Sequence, residues 1–152
     1  MTLQEKAMFE KIKSDFKGIA WLLIVVGVVV NGAGALAMSK TGLPLYLDSI
    51  GTVFVAVVAG PWAGALTGLL TNLILGVVSP GYAPYWFVPL LIGLVTGFLA
   101  NAGWFKHWLK VFALGLIIAA LAAVMSSLIA GIVFGNFTFN LAYFLVEEPV
   151  DK

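Results

Sequence analysis

The sequence has few of the residues from which catalytic or metal-binding centres are built. It contains no cysteine, no arginine and a single histidine, His107, among its 152 residues. The lack of cysteine excludes disulfides and thiolate metal ligands, and one histidine is too few for a histidine-built metal site. No nucleophile has a histidine partner, and the apolar segments hold no pair of carboxylates and no phosphate-binding glycine loop. We therefore expect neither an enzyme nor a cofactor.

Charged residues are also scarce. Asp, Glu, Lys and Arg make up 10% of the chain, whereas 62% of its residues are hydrophobic. Soluble domains carry about 25% charged residues, and the few present here cannot cover a water-facing surface. The composition therefore predicts an integral membrane protein. The formal net charge of +1 predicts no nucleic-acid partner.

Five apolar segments follow one another along the chain. A hydrocarbon core of about 30 Å needs about 20 apolar residues per helix. The segments, separated by turn-forming or polar residues, are 18–39, 45–60, 62–78, 85–103 and 111–134. A further apolar stretch, 141–146, is too short to span. We predict an all-α integral membrane protein, a compact bundle with five transmembrane helices visible in the sequence.

Lysines are distributed unevenly between the segments. Residues 3–17 hold four lysines and the loop 104–110 holds two. Five spans place these two regions on one side, and cytoplasmic loops collect lysine and arginine, so we predict a cytoplasmic N-terminus. Residues 1–17 fit either a short amphipathic helix on the membrane surface or a solvated arm. The transmembrane domain then covers 18–146, and a tail covers 147–152.

Small residues recur at every fourth position in three of the segments. These stripes are Gly60, Gly64 and Gly68; Gly93 and Gly97; and Ala33 and Ala37. Such spacing lets helix backbones approach closely in lipid, where burial of apolar surface alone does not drive association. We expect both glycine stripes to pack inside the bundle. The alanine pair fits either internal packing or contact with a partner protein.

Asp48 is an isolated carboxylate in apolar surroundings. Between Gly18 and Phe105 the only other charged residue is Lys40. A carboxylate within a bilayer costs several kcal/mol unless it is paired, protonated or hydrated, so it marks a candidate functional site. Asp48 also lies near the end of its segment, where it could cap the helix by accepting hydrogen bonds from the N–H groups of Ile50 or Gly51. Ligand contact and helix cap both remain open.

Two turns are rich in aromatic residues. They are "SPGYAPYWF", 79–87, and "FGNFTFN", 134–140. Aromatic side chains near a membrane surface form an interfacial belt. They also suit a lid that stacks over a flat, apolar ligand with a few hydrogen-bonding edges. Both interpretations remain open.

The run "LPLYLDSIGTVFVAVVAGPWAGALTGLLTNLILGV", 43–77, resembles the second and third spans of substrate-binding (S) components of energy-coupling factor (ECF) transporters. It carries Leu-x-Leu-Asp-x-Ile-Gly-Thr, then Gly-Pro-Trp-x-Gly-Ala-x-x-Gly and Thr-Asn. The segments "FVPLLIGLVTGFLANAGWFK", 87–106, and "FGNFT", 134–138, are similar to later parts of the same family. The resemblance covers about residues 20–138 and is most specific around Asp48 and Gly60-Pro61.

The resemblance implies a six-helix protein of a prokaryotic cell membrane that captures a vitamin-like micronutrient from outside. Its implied partners are two ATPase subunits and a transmembrane coupling subunit, which Ala33 and Ala37 would contact. The fold would gather candidate ligand contacts under the outer loops: Asp48, Thr52, Asn72, Tyr82, Tyr85, Trp86 and Asn136. The tail "EEPVDK" resembles the start of the family's sixth helix, where this sequence ends. The alternative is a membrane sensor or scaffold module of the same shape, without transport.

Overall fold

The computed structural model describes residues 3–41 and 47–134, and every regular element within those ranges is helical. The α-helices are α1 Leu3–Asp15, α2 Ala20–Thr41, α3 Ile50–Ala59, α4 Pro61–Val78, α5 Phe87–Asn101 and α6 Trp108–Phe134. Short 3₁₀ turns cover Leu47–Ser49, Pro80–Tyr85 and Trp104–Lys106. The predicted all-α class is confirmed for this part of the chain.

Three of the described helices are long and apolar enough to cross a membrane. Their apolar parts are Ala20–Ala37, Pro61–Val78 and Trp108–Val133. The predicted second and fourth spans are also helical, but Leu47–Ala59 and Phe87–Asn101 are shorter. At 1.5 Å per residue, a helix of 15 residues is about 22 Å long and falls short of a core of about 30 Å. The fold is therefore compatible with a multi-pass membrane protein, and the number of five spans stays a prediction.

At the centre of the bundle lie α2, α3, α4 and α5, and each runs antiparallel to the helix before it. A Cβ added at Gly93 would overlap the backbone of Gly64 and lie 2.5 Å from the amide nitrogen of Ala65. At Gly97 an added Cβ would overlap Pro61, the first residue of α4. Backbone contact at this distance leaves no room for a side chain. The expectation that both glycine stripes pack internally is confirmed.

Helix α1 lies across one end of the bundle, where α4 begins. The Asp15 carboxylate accepts a hydrogen bond of 3.3 Å from the N–H of Trp62, in the first turn of α4. The preceding Gly60 has φ +101°, and a Cβ there would lie 2.5 Å from the same carboxylate. Burial raises the pKa of the Asp15 carboxyl, against the lowering effects of the Trp62 N–H and the Lys11 ammonium. A carboxylate at this position satisfies an N–H group that the helix itself leaves free.

The two ends of the bundle differ in charge. We call them the α1 end and the Asp48 end. The α1 end carries six exposed lysines. Four lie on or just after α1, one ends the Trp104–Lys106 turn and one lies in the first turn of α6: Lys6, Lys11, Lys13, Lys17, Lys106 and Lys110. The Asp48 end carries Lys40. The predicted grouping of lysines at one end is confirmed, and the cytoplasmic location of that end stays a prediction.

Helices α1 and α6 are less tightly packed than the central four. Residues Leu3–Asp15 form a helix, which is one of the two forms left open by the sequence. The apolar side chains of Leu3, Met8 and Phe9 are exposed, and contact with a membrane surface stays a prediction. Helix α6 runs for 27 residues alongside α5. It buries Leu114 and exposes most of its other large apolar side chains.

We expect Gly93→Ala to destabilise the protein. The new methyl group would overlap backbone atoms of α4, which cannot move away by a rotamer change as a side chain could. An overpacked contact of this kind costs about 1–3 kcal/mol. The matched control is Gly115→Ala in α6, where an added Cβ meets nothing within 4 Å. Thermal unfolding in detergent should show a lower Tm for Gly93→Ala and an unchanged or higher Tm for Gly115→Ala. Equal Tm values would contradict the close approach of α4 and α5.

Candidate functional site

The amide side chain of Asn31, on α2, joins three helices near the Asp48 end. Its residue is 0% exposed. Its Nδ2 donates to the hydroxyl of Thr52 on α3 at 2.8 Å and to that of Thr71 on α4 at 2.9 Å. Its Oδ1 accepts from the N–H of Gly51 at 2.7 Å and from that of Thr52 at 3.4 Å. Both donors and the acceptor of this amide are therefore used within the protein.

The same side chain acts as the N-terminal cap of α3. Helix α3 begins at Ile50, and its N-cap residue Ser49 makes no side-chain capping hydrogen bond. The free N–H groups of the first turn need an acceptor, and Asn31 supplies one from a different helix. The sequence left open that the Asp48 carboxylate caps α3 by accepting hydrogen bonds from the N–H groups of Ile50 or Gly51. At Gly51 the acceptor is Asn31 instead, because α2 and α3 touch so closely that the amide reaches the backbone.

Glycines permit that close approach of α2 and α3. A Cβ added at Gly51 would overlap the carbonyl oxygen of Gly27 and lie 2.9 Å from Asn31 Oδ1. A Cβ at Gly34 would overlap the carbonyl of Leu47. The Gly51 of the Asp-x-Ile-Gly-Thr motif is thus required by helix packing as well as by the cap.

Buried threonines continue the polar cluster down α4. Thr71 Oγ1 donates to the carbonyl of Thr67 at 2.8 Å, and Thr67 Oγ1 donates to that of Ala63 at 2.8 Å. These two hydroxyls donate their hydrogen bonds to carbonyl oxygens of their own helix, as threonine commonly does in an apolar environment. Thr96 on α5 differs, since its buried hydroxyl has no hydrogen-bond partner within the described ranges.

The predicted ligand contacts fall into two groups. Thr52 is fully buried and bonded to Asn31, and Asn72 is 4% exposed beside Thr71. Asp48 is half-buried in the 3₁₀ turn before α3, where the Ser49 hydroxyl is 3.4 Å from its Oδ1. Thr52 and Thr71, the chain neighbour of Asn72, both bond to Asn31, and Asp48 lies one turn before Thr52 at the same end of the bundle.

The aromatic group lies in the turn between α4 and α5, at the same end. Tyr82 and Tyr85 are half-buried, while Trp86 is exposed and packs edge-on against Phe87 with ring centroids 5.5 Å apart. Asn136 lies outside the described residues. The aromatic belt and the ligand lid remain alternative roles for this turn.

The predicted docking pair lies on the outside of α2. Ala33 and Ala37 are both exposed, and they share one face because residues four apart lie one above the other on a helix. Their neighbours on that face include Val26, Val29 and Val30, which are also exposed. Internal packing of Ala33 and Ala37, one of the two roles left open by the sequence, does not occur among the described residues. Contact of this pair with a partner protein stays a prediction.

Two cavities are described, and both lie away from the Asp48 end. One, of about 180 Å³, lies under the C-terminal end of α1 and is lined by residues including Asp15, Ala20 and Val58. The other, of about 240 Å³, is an apolar groove between α4 and α5. No family model, curated protein or solved structure matches this chain.

We expect Asn31→Leu to lower the free energy of unfolding by about 3 kcal/mol, because it leaves buried N–H groups without an acceptor. Thr71→Val, which removes one acceptor of the Asn31 amide, should cost about 1 kcal/mol. The control is Thr96→Val, which removes a hydroxyl without a described partner and should cost nothing measurable. Denaturant titration of the three variants measures these differences. A loss in Thr96→Val as large as that in Thr71→Val would argue against the Asn31 cluster as the stabilising element.

Proposed function

We propose that this protein is a membrane-embedded substrate-binding subunit that captures a small, vitamin-like micronutrient at the Asp48 end. In this proposal the ligand is delivered through an ATP-driven transport complex of the energy-coupling factor type. The coupling subunit and the two ATPases are separate chains. The lysine-bearing α1 end faces the cytoplasm, in agreement with the usual bias of lysine.

The observation that carries this proposal is the two-sided character of α2. One side of the helix exposes Ala33 and Ala37 in an apolar surface. The other side holds the start of α3 through Asn31, next to Asp48. Small residues on an exposed helix face allow close approach of another membrane helix. One helix therefore links a surface suited to a membrane partner with the end that holds the candidate ligand contacts.

A second candidate function is a sensor or scaffold module without transport. The exposed surface of α6 favours this second function. The helix exposes apolar side chains along its length, which gives a second face for helix–helix association. Co-purification of a coupling subunit and ATPases with the tagged protein would support the transport role. Their absence from a purification that retains other membrane partners would support the module.

We expect Asp48→Asn to weaken binding of the micronutrient by about 10–100-fold, because a hydrogen bond to a charged group contributes about 1.5–3 kcal/mol. Native mass spectrometry of the purified protein measures the fraction that retains a co-purified small molecule. The control is Lys40→Gln, the other charged position described at this end. Unchanged retention in Asp48→Asn with a lowered Tm would assign Asp48 a structural role instead.

We expect Ala33→Trp and Ala37→Trp to abolish uptake while ligand retention is kept. A bulky indole prevents close approach of a partner helix but stays clear of the buried side of α2. The control is Ile74→Trp, because Ile74 is also an exposed apolar residue but lies on α4, outside the face of α2 that carries the alanine pair. Uptake into cells or proteoliposomes with the full complex is the measurement. Full uptake in both alanine variants would refute the docking assignment.

A further inference from the structure

We propose that the groove between α4 and α5 binds one acyl chain of an anionic phospholipid, whose phosphate is held at the α1 end beside Lys11. This inference rests on the membrane location assumed in the proposed function, but it concerns a different part of the molecule from the Asp48 end. It assigns a ligand to the larger described cavity, which neither the candidate ligand contacts nor the docking pair involves.

The lining of the groove selects an apolar occupant. It has a volume of about 240 Å³ and is lined by Phe16, Trp62, Ala65, Leu66, Leu69, Leu90 and Leu94. Every one of these side chains is hydrocarbon except for the indole N–H of Trp62. The groove is open along one side of the bundle, so a lipid in the surrounding bilayer reaches it without passing through the protein.

The direction of the groove follows the membrane normal in the proposed orientation. Trp62 lies in the first turn of α4 and Leu69 two turns further on, a distance of about 10 Å along the helix. On the antiparallel α5, Leu94 and Leu90 line the opposite wall in the same direction. The groove thus starts at the α1 end and runs towards the middle of the bundle, as an acyl chain does below its headgroup.

A cation stands at the start of the groove. The Lys11 Nζ lies 5.9 Å from the centroid of the Phe98 ring. That ring packs edge-on against Trp62 with centroids 6.3 Å apart. Lys11 is therefore one aromatic ring away from the wall of the groove. Lys17 follows Phe16 in the chain but lines the other cavity.

The carboxylate that interacts with Lys11 also has a second partner. Asp15 lies one turn after Lys11, whose ammonium lowers the pKa of the Asp15 carboxyl, and the same carboxylate accepts the N–H of Trp62. The partial positive charge of the α4 N-terminus offsets part of the negative charge of Asp15. With Lys11 exposed, the local field favours an anionic headgroup over a zwitterionic one.

The test compares lipids that share acyl chains and differ in headgroup charge. The full chain is reconstituted in nanodiscs that contain equal amounts of phosphatidylglycerol and phosphatidylcholine, and native mass spectrometry then counts the lipid retained. We expect one tightly held lipid per protein, with phosphatidylglycerol preferred. Lys11→Gln should reduce that preference by about fivefold, the effect of one lysine near an anionic surface. Lys13→Gln is the matched control, since the Lys13 ammonium lies over Phe9 and beside Glu10, neither of which lines the groove.

A second pair of variants tests the acyl part. Leu69→Trp fills the groove and should remove the retained lipid of either kind, whereas Ile74→Trp, at an exposed position of α4 outside the lining, should leave it in place. Lipid retention equal in Leu69→Trp and Ile74→Trp would overturn the proposal. A second protein chain retained in place of lipid, and lost in Leu69→Trp, would overturn it in favour of a protein occupant. Failure of the chain to enter nanodiscs would instead count against the proposed membrane function as a whole.

Discussion

The packing at the Asp48 end depends on one constraint: the first N–H groups of α3 are buried and must find an acceptor. Asn31 provides it from α2, and with its two amide protons it also fixes Thr52 and Thr71. In an apolar interior no water can take over these bonds, so the register between α2, α3 and α4 is specified by a single amide. At the opposite end Asp15 does the same for α4. Each end of the α3–α4 hairpin is thus fastened by a polar side chain from an earlier helix.

Close backbone packing makes both contacts geometrically possible. Asn31 reaches the backbone of α3 only because Gly27 and Gly51 bring the two helices together, and Asp15 reaches α4 only because Gly60 carries no Cβ. The glycine stripes and the polar caps are therefore parts of one arrangement. Small residues set the distance between helices, and polar side chains set the position along the axis. Where this arrangement ends, at α6, the described side chains are mostly exposed.

The helical class, the order of the apolar segments and the internal role of the glycine stripes could be predicted from periodicity and composition, because these are local properties of the chain. The role of Asn31 could not, since its partners Gly51 and Thr71 are 20 and 40 residues away. An asparagine in an apolar run signals a buried partner without saying which one. For the same reason the sequence suggested Asp48 as an acceptor for the Gly51 N–H, because Asp48 is close to Gly51 in the chain. The extents of α3 and α5 were overestimated because apolar composition continues into the turns that end them.

The order of the caps along the chain has a consequence for biosynthesis. Asn31 precedes the Gly51 N–H that it accepts by 20 residues, and Asp15 precedes that of Trp62 by 47. Chains are made and begin to fold from the N-terminus. Each acceptor is consequently present before the helix start that requires it is synthesised, so the caps of α3 and α4 can form without waiting for any residue that follows those two helices.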